Sequence, residues 1–149
     1  MSEIIKFTKF IEKNSIEGIV RKIDELGRVV IPNDYRINKY QEGSKVYLQV
    51  LDNYIILTDK NEFETGIEKR FDELGRILIA KEIRDNLDIK YADSLMIWSF
   101  DGGIVIKKIE DECIFCKNKN NLQQFNEKLI CDECIEQICE LKKQKTLKN

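Results

Sequence analysis

Five cysteines are the residues of this chain whose type and spacing speak most directly of chemistry. Cys113-Ile-Phe-Cys116 is followed by fourteen residues and then by Cys131-Asp-Glu-Cys134. Thiolates are soft ligands, and each Cys-x-x-Cys pair grips one side of a tetrahedral ion. An intervening run of this length can fold back as a hairpin and bring the two pairs together. The spacing is that of a four-cysteine zinc ribbon or knuckle pair, so the expectation is a structural Zn²⁺ held by Cys113, Cys116, Cys131 and Cys134. A redox pair and unligated thiols are the other readings of these residues. The chain has no histidine, which removes Ser/His and Cys/His catalysis and every imidazole ligand. With four thiolates closing the coordination sphere, no open metal position and no enzymatic activity are expected.

The elements that must position these thiols are short. Leu122, Phe125 and Leu129 punctuate the intervening segment as a hairpin would. A helix is expected from Asp132, with Ile135, Ile138 and Leu141 on one face and Lys142, Lys143, Lys145 and Lys148 suiting its C-terminus. Cys139 falls on or near that apolar face and reads as a small core residue rather than a ligand. A segment of this size has little core, so a bound metal would supply much of its folding free energy.

Upstream, the chain repeats itself. Residues 18–36, GIVRKIDELGRVVIPNDYR, and 66–84, GIEKRFDELGRILIAKEIR, align at a constant offset of 48. Beyond Arg36 the offset becomes 49, because the first copy is one residue shorter where its helix should end. Each copy reads as ββαββ. Ile19 to Ile23 and Val29 to Ile31 are strand-like and are joined by Asp-Glu-Leu-Gly-Arg, a turn in which Gly27 or Gly75 can adopt positive φ, which together read as a hairpin. A short helix follows, from Pro32 to about Tyr40 and from Ala80 to about Asp88. A second hairpin closes each copy: Val46 to Leu51 with Tyr54 to Thr58, and Leu95 to Phe100 with Gly103 to Lys107, the latter turning on Asp101-Gly102. A unit of about 42 residues cannot bury a sufficient core alone. The short polar linker, residues 59–65, therefore favours an intramolecular pairing of the copies, with pairing between two chains as the other arrangement.

The repeated GIVRKIDELGRVVIP and GIEKRFDELGRILIA closely resemble the N-terminal DNA-binding domain of the AbrB/SpoVT transition-state regulators. The resemblance covers residues 18–58 and 66–108. It implies a mainly β fold with short helices: a swapped-hairpin β-barrel in which the two ββαββ repeats interleave as a pseudo-dimer, here followed by a zinc ribbon and C-terminal helix in residues 109–149. It also implies transcriptional regulation by binding AT-rich, deformable double-stranded DNA, and a cytoplasmic, nucleoid-associated location. By the same resemblance, the DNA-contacting residues are Arg21, Lys22, Arg28 and Arg36 in the first repeat, and Lys69, Arg70, Arg76 and Arg84 in the second. Departures from the family pattern are Ile37 and Asp85, where many members carry a second basic residue after the helix arginine, and Ala80, where a proline is expected.

Charge placement agrees with this resemblance better than net charge does. Lys plus Arg number 25 against 27 Asp plus Glu, for a net charge of −2, which by itself argues against nucleic acid. Yet all six arginines fall within the two repeat windows, and Arg suits phosphates and narrow grooves better than Lys. Pairing of Arg28 with Asp24 and of Arg76 with Asp72 is the structural alternative for two of them. A protein-interaction role, as a partner or antagonist of related regulators or as an antitoxin-like protein, is the second functional reading, with self-association compatible with either. The start, MSEIIKFTKF, lacks the features of a secretory signal, and no apolar run reaches the roughly 20 residues of a membrane helix. Residues 1–17 are apolar enough to pack, on the barrel or on another subunit, and are ambiguous between helix and strand.

Overall fold

A computed structural model describes residues 3–14, 16–37, 39–61, 64–100 and 103–147. The chain divides into two compact units, Met1–Ile109 and Glu110–Asn149. No helix is long and apolar enough to cross a membrane among the described residues.

The first unit is mainly β. After α1 (Glu3–Asn14), the first copy contributes β1 (Ile19–Lys22), β2 (Arg28–Val30), α2 (Asn33–Arg36), β3 (Lys45–Leu51) and β4 (Tyr54–Thr58). The second contributes β5 (Ile67–Arg70), β6 (Arg76–Leu78), α3 (Lys81–Asn86), β7 (Ser94–Phe100) and β8 (Gly103–Lys108). Hairpins β3–β4 and β7–β8 form as the sequence predicts; the Asp101-Gly102 turn lies outside the described residues. The first hairpin of each copy does not form. Strand β1 pairs instead with β7 of the other copy, and β5 with β3, while β2 and β6 pair with each other. The Asp-Glu-Leu-Gly-Arg turn closes on itself, Asp24 N–H donating to Arg28 O at 2.9 Å, but the strands on either side part at once to ladders supplied by the other copy.

The result is a six-stranded antiparallel sheet, β1-β7-β8-β4-β3-β5, and a separate two-stranded ribbon, β2-β6. The hydrogen-bonded ladder is open, with β1 and β5 as its edges, so the barrel expected from the sequence is not closed by strand pairing. Two pairs reveal the internal symmetry. Ile56 lies opposite Val105 and Val29 opposite Ile77, and each is paired with its own repeat equivalent, as residues on a pseudo-two-fold axis must be.

One face of the sheet and the ribbon enclose a core to which both copies contribute, including Ile31, Leu48, Ile55, Leu57, Ile77, Ile79, Leu95, Ile97, Ile104 and Ile106, all buried. The opposite face carries Tyr54, Ile56, Trp98 and Val105 and is covered by α1 through Ile11 and Phe7. Phe7 stacks on Phe100 with ring centroids 4.9 Å apart, and Trp98 Nε1 donates to Ile16 O at 3.0 Å. The N-terminal segment is thus an amphipathic helix capping the sheet, which explains why β4 is buried at every position and shows no polar alternation.

Both repeat helices are shorter than their sequences suggest. Helix α3 stops where Asp88 takes φ +53°. Ile89 N–H then donates to Arg84 O at 2.8 Å, and Asp88 N–H to Asp85 O at 3.3 Å, the pairing of a Schellman stop. The first copy lacks this one residue, and Tyr40 N–H reaches Arg36 O directly at 2.9 Å. Tyr40 and Ile89 are both buried, so each helix ends where its next apolar side chain must turn into the core.

The second unit holds β9 (Leu122–Phe125), β10 (Lys128–Cys131) and α4 (Asp132–Leu147); Lys148 lies outside the described residues. The β9–β10 hairpin turns on Asn126 and Glu127 at φ +48° and +65°, the conformation in which Asn-Gly is favoured. Lys117, directly after the first cysteine pair, also sits at φ +67°. A non-glycine residue in this region costs about 1 kcal/mol. Glu127→Gly and Lys117→Gly should each raise the stability of this unit by about 0.5–1 kcal/mol, read as a higher thermal midpoint.

Candidate functional site

The β9–β10 hairpin does for the cysteines what their spacing requires. Cys131 ends β10, Cys134 sits in the first turn of α4, and the Cys113–Cys116 loop is tied down by Ile114 N–H donating to Leu129 O at 2.8 Å and Cys113 N–H to Asn118 O at 2.7 Å. All four sulfurs lie within 4.8 Å of one another, the Cys116 and Cys131 Sγ atoms 3.5 Å apart. Four sulfurs at about 2.3 Å from one tetrahedral ion stand about 3.8 Å from each other, so the cluster has the dimensions of a metal site. It is not a disulfide, since all the cysteines are free. Cys113, Cys131 and Cys134 are buried and Cys116 is exposed.

The thiols are electrostatically unequal. Burial raises the Cys113 thiol, but backbone N–H groups of Cys116, Cys131 and Phe115 together outweigh it and hold the group below its ordinary 9.0. Burial and the neighbouring sulfurs push Cys134 upward. A cation would relieve that crowding. Among the described residues, Leu122 and Ile130 alone pack against the buried cysteines, so this unit has little apolar core. Cys139 departs from expectation: it is exposed on α4, outside the cluster formed by the buried Cys113, Cys131 and Cys134.

The basic residues fall into three groups. Arg28 and Arg76 share the outward face of the β2–β6 ribbon, where Arg28 faces Leu78 and Arg76 faces Val30, making the two arginines diagonal neighbours. Each is oriented by a carboxylate. Asp24 accepts from the Arg28 backbone N–H and Nε, both at 2.8 Å, and from Leu26 N–H at 2.9 Å. Asp72 accepts from the Arg76 backbone N–H at 2.8 Å, its Nε at 2.6 Å, and Leu74 N–H at 2.9 Å. The ion-pair reading of these two residues is therefore the observed one. Only Nε is engaged in each case; the Nη nitrogens, which form the outer fork, make no hydrogen bond among the described residues.

Arg36 and Arg84 form the second group and are interlocked with the turns. Arg36 Nε donates to Ile31 O and Arg84 Nε to Ile79 O, each at 2.9 Å. The Arg84 guanidinium lies over Gly27, where a Cβ would come within 2.6 Å of its Cζ, and Arg36 lies over Gly75 in the same way. Each helix arginine thus packs on the turn glycine of the opposite copy. Both glycines also have positive φ, +86° and +76°. The third group is separated in strand order: Arg21 and Lys22 lie on edge strand β1, and Lys69 and Arg70 on the opposite edge strand β5. Arg70 Nη1 donates to Gly43 O and Arg21 Nη1 to Val20 O, both at 2.9 Å.

Four exposed aliphatic side chains, not singled out by their sequence pattern, accompany Arg28 and Arg76: Leu26, Val30, Leu74 and Leu78. The signal for Val30 and Leu78 is the period-two alternation of Arg28-Val29-Val30 and Arg76-Ile77-Leu78, in which the middle residue alone is buried, while Leu26 and Leu74 belong to the turns before these strands.

Among known proteins, no family model and no curated protein matches this chain. Of solved structures, it is similar to PHS018 from Pyrococcus horikoshii, determined in solution, with 21% identity over 62% of this chain and 88% of that one and a TM-score of 0.38. A likeness at that level does not define the fold.

Burial raises the Asp24 and Asp72 carboxyls, but the three donors on each outweigh it and leave both below their ordinary 3.8. A depressed native value means that the stabilisation is complete above the unfolded value and is lost as pH falls through the native one. Asp24→Ala with Asp72→Ala should cost about 1 kcal/mol per copy near neutrality, limited by solvent screening. The gap from the parent protein in urea midpoint should close as the pH falls below about 4.

Proposed function

We propose that the first unit is a DNA-binding transcriptional regulator domain of the AbrB/SpoVT type, a swapped-hairpin pseudo-dimer within one chain, that contacts AT-rich duplex through the arginines of its two repeats. The observation that carries this reading is the β2–β6 ribbon, where Arg28 and Arg76 are related by the pseudo-two-fold axis and present unengaged Nη forks on one outward face. A duplex has two-fold symmetry of its own, so paired cations about such an axis can meet equivalent phosphates on its two strands. In this reading Asp24 and Asp72 are not competitors for DNA. They hold each guanidinium at Nε and leave the fork for a phosphate or a narrow groove. Arg36 and Arg84 act as positioning residues that brace the turns, while Arg21, Lys22, Lys69 and Arg70 supply flanking charge.

In the second unit, Cys113, Cys116, Cys131 and Cys134 hold zinc. A closed four-thiolate shell supplies no reactive position, so the ion's contribution is folding free energy, on the order of 10 kcal/mol for such sites.

The exposed Leu26, Val30, Leu74 and Leu78 favour a second reading, a protein partner seated on the same ribbon. Salt dependence separates the two. Binding to a fluorescent AT-rich duplex should show a log–log slope of roughly −5 to −7, corresponding to roughly six to eight phosphate contacts, and Arg28→Ala with Arg76→Ala should abolish it in a protein whose circular dichroism stays folded. No binding, or a slope near zero, sinks the DNA reading. For the metal, chelation should unfold the second unit and leave the first intact, and Co²⁺ in its place should give the intense visible bands of a tetrahedral thiolate complex; an unchanged second unit after metal removal would rule the proposal out.

A further inference from the structure

The outward face of the β2–β6 ribbon combines two chemistries. Strand alternation puts Arg28 and Val30 on one side of β2 and Arg76 and Leu78 on the same side of β6, with Val29 and Ile77 between them turned into the core. Across the ladder each arginine faces an aliphatic, Arg28 opposite Leu78 and Arg76 opposite Val30. Val30 and Leu78 are repeat equivalents, as the arginines are, so the pseudo-two-fold axis between Val29 and Ile77 relates the two halves. Val30 is 39% and Leu78 37% exposed, whereas a solvated sheet face is normally polar. Asp24 and Asp72 balance the two guanidinium groups, so this face attracts phosphate only weakly through net charge. What it offers a duplex is directional donors and apolar contact.

We propose, resting on the DNA reading above, that the ribbon lies in the major groove and that Val30 and Leu78 contact the C5-methyl groups of thymine, while the Arg28 and Arg76 forks take the flanking phosphates. Dimensions choose the groove. Two strands stand about 4.8 Å apart before their side chains are counted, which suits the major groove, roughly 12 Å wide, and is too broad for the minor groove at roughly 6 Å. Each three-residue strand is about 7 Å long, the height of about two base-pair steps. Chemistry chooses the ligand. The thymine methyl is the apolar feature of the major-groove edges, and AT-rich duplex presents one at every A·T pair. Apolar side chains gain there without a base-specific hydrogen bond, which yields a preference for AT-rich DNA with no fixed sequence.

The test compares binding of the full chain to two short fluorescent duplexes, one of alternating A·T pairs and the same duplex with uracil in place of every thymine. Uracil keeps the charge, the pairing and the minor-groove edge and lacks only the methyl group. With a methyl at every pair, no operator register needs to be known. Affinity should fall about 15-fold on the uracil duplex, about fourfold for each of two methyl contacts, with the salt slope unchanged. Val30→Ala with Leu78→Ala should weaken binding to the thymine duplex by a similar factor and abolish the discrimination against uracil. The duplex comparison itself uses the parent protein, so a variant that misfolds cannot decide the outcome. Equal affinity for the two duplexes with the salt slope intact would overturn the methyl contact and leave the DNA reading standing. A folded variant that still discriminates would overturn the assignment to Val30 and Leu78. No binding to either duplex would overturn both readings and leave the ribbon's aliphatics to a protein partner.

Discussion

Neither ββαββ copy can satisfy its own first strand, and the exchange of that strand between copies is the constraint on which the first unit depends. Strand β1 finds its ladder on β7 and β5 finds its own on β3, so the inward-facing backbone donors and acceptors of each first strand are paired by the other copy. Leaving them unpaired in a buried setting would cost more than the net value of a hydrogen bond per group. The side chains follow the backbone. Val29 meets Ile77 and Ile56 meets Val105 on the pseudo-axis, and the core closes only when the isoleucines and leucines of both copies are present, each contributing about 1.5–3 kcal/mol on burial.

The same exchange decides what the arginines do. Because the two turns lie against the opposite copy's helices, Gly27 is covered by Arg84 and Gly75 by Arg36, and the backbone bonds Ile31 N–H to Gly75 O and Ile79 N–H to Gly27 O tie the turns across the axis at 3.0 and 2.9 Å. A side chain at either glycine would meet both an unfavourable φ and a guanidinium. The arginines that look alike in sequence are therefore divided into two that brace the dyad and two that stand on its outward face, held by Asp24 and Asp72. In a chain of net charge −2, the ribbon's Arg28 and Arg76 are balanced by Asp24 and Asp72, so what the fold supplies there is orientation of two guanidinium groups, whose fields act within a Debye length.

The second unit is built on a different economy. Among the described residues, its buried apolar contacts amount to little more than Leu122 and Ile130 around three cysteines, and the strain of positive φ at Lys117, Asn121, Asn126 and Glu127 must be borne by something other than a hydrophobic core. Four convergent sulfurs are the means available. Helix α4 leaves Ile138, Leu141 and Cys139 exposed, although the pattern around Cys139 reads as core.

Much of this was legible in the residues themselves. The repeat, the turns with their glycines, hairpins β3–β4 and β7–β8, the paired cysteines and the start of α4 at Asp132 are all written in intervals of a few residues, where backbone conformation and ligand spacing act locally. The partners of β1 and β5 were not, because a strand's alternation says which face is apolar and nothing of which ladder will receive it. The helical nature of residues 3–14 stayed ambiguous until the β4 face of the sheet showed what Phe7 and Ile11 must cover. The early ends of α2 and α3 came from the need to bury Tyr40 and Ile89, and the packing of Arg84 on Gly27 joins residues 57 positions apart. Short-range chemistry belongs to the sequence; the choice among long-range contacts belongs to the packed fold, where loop-closure entropy and burial are weighed together and no local pattern carries that comparison.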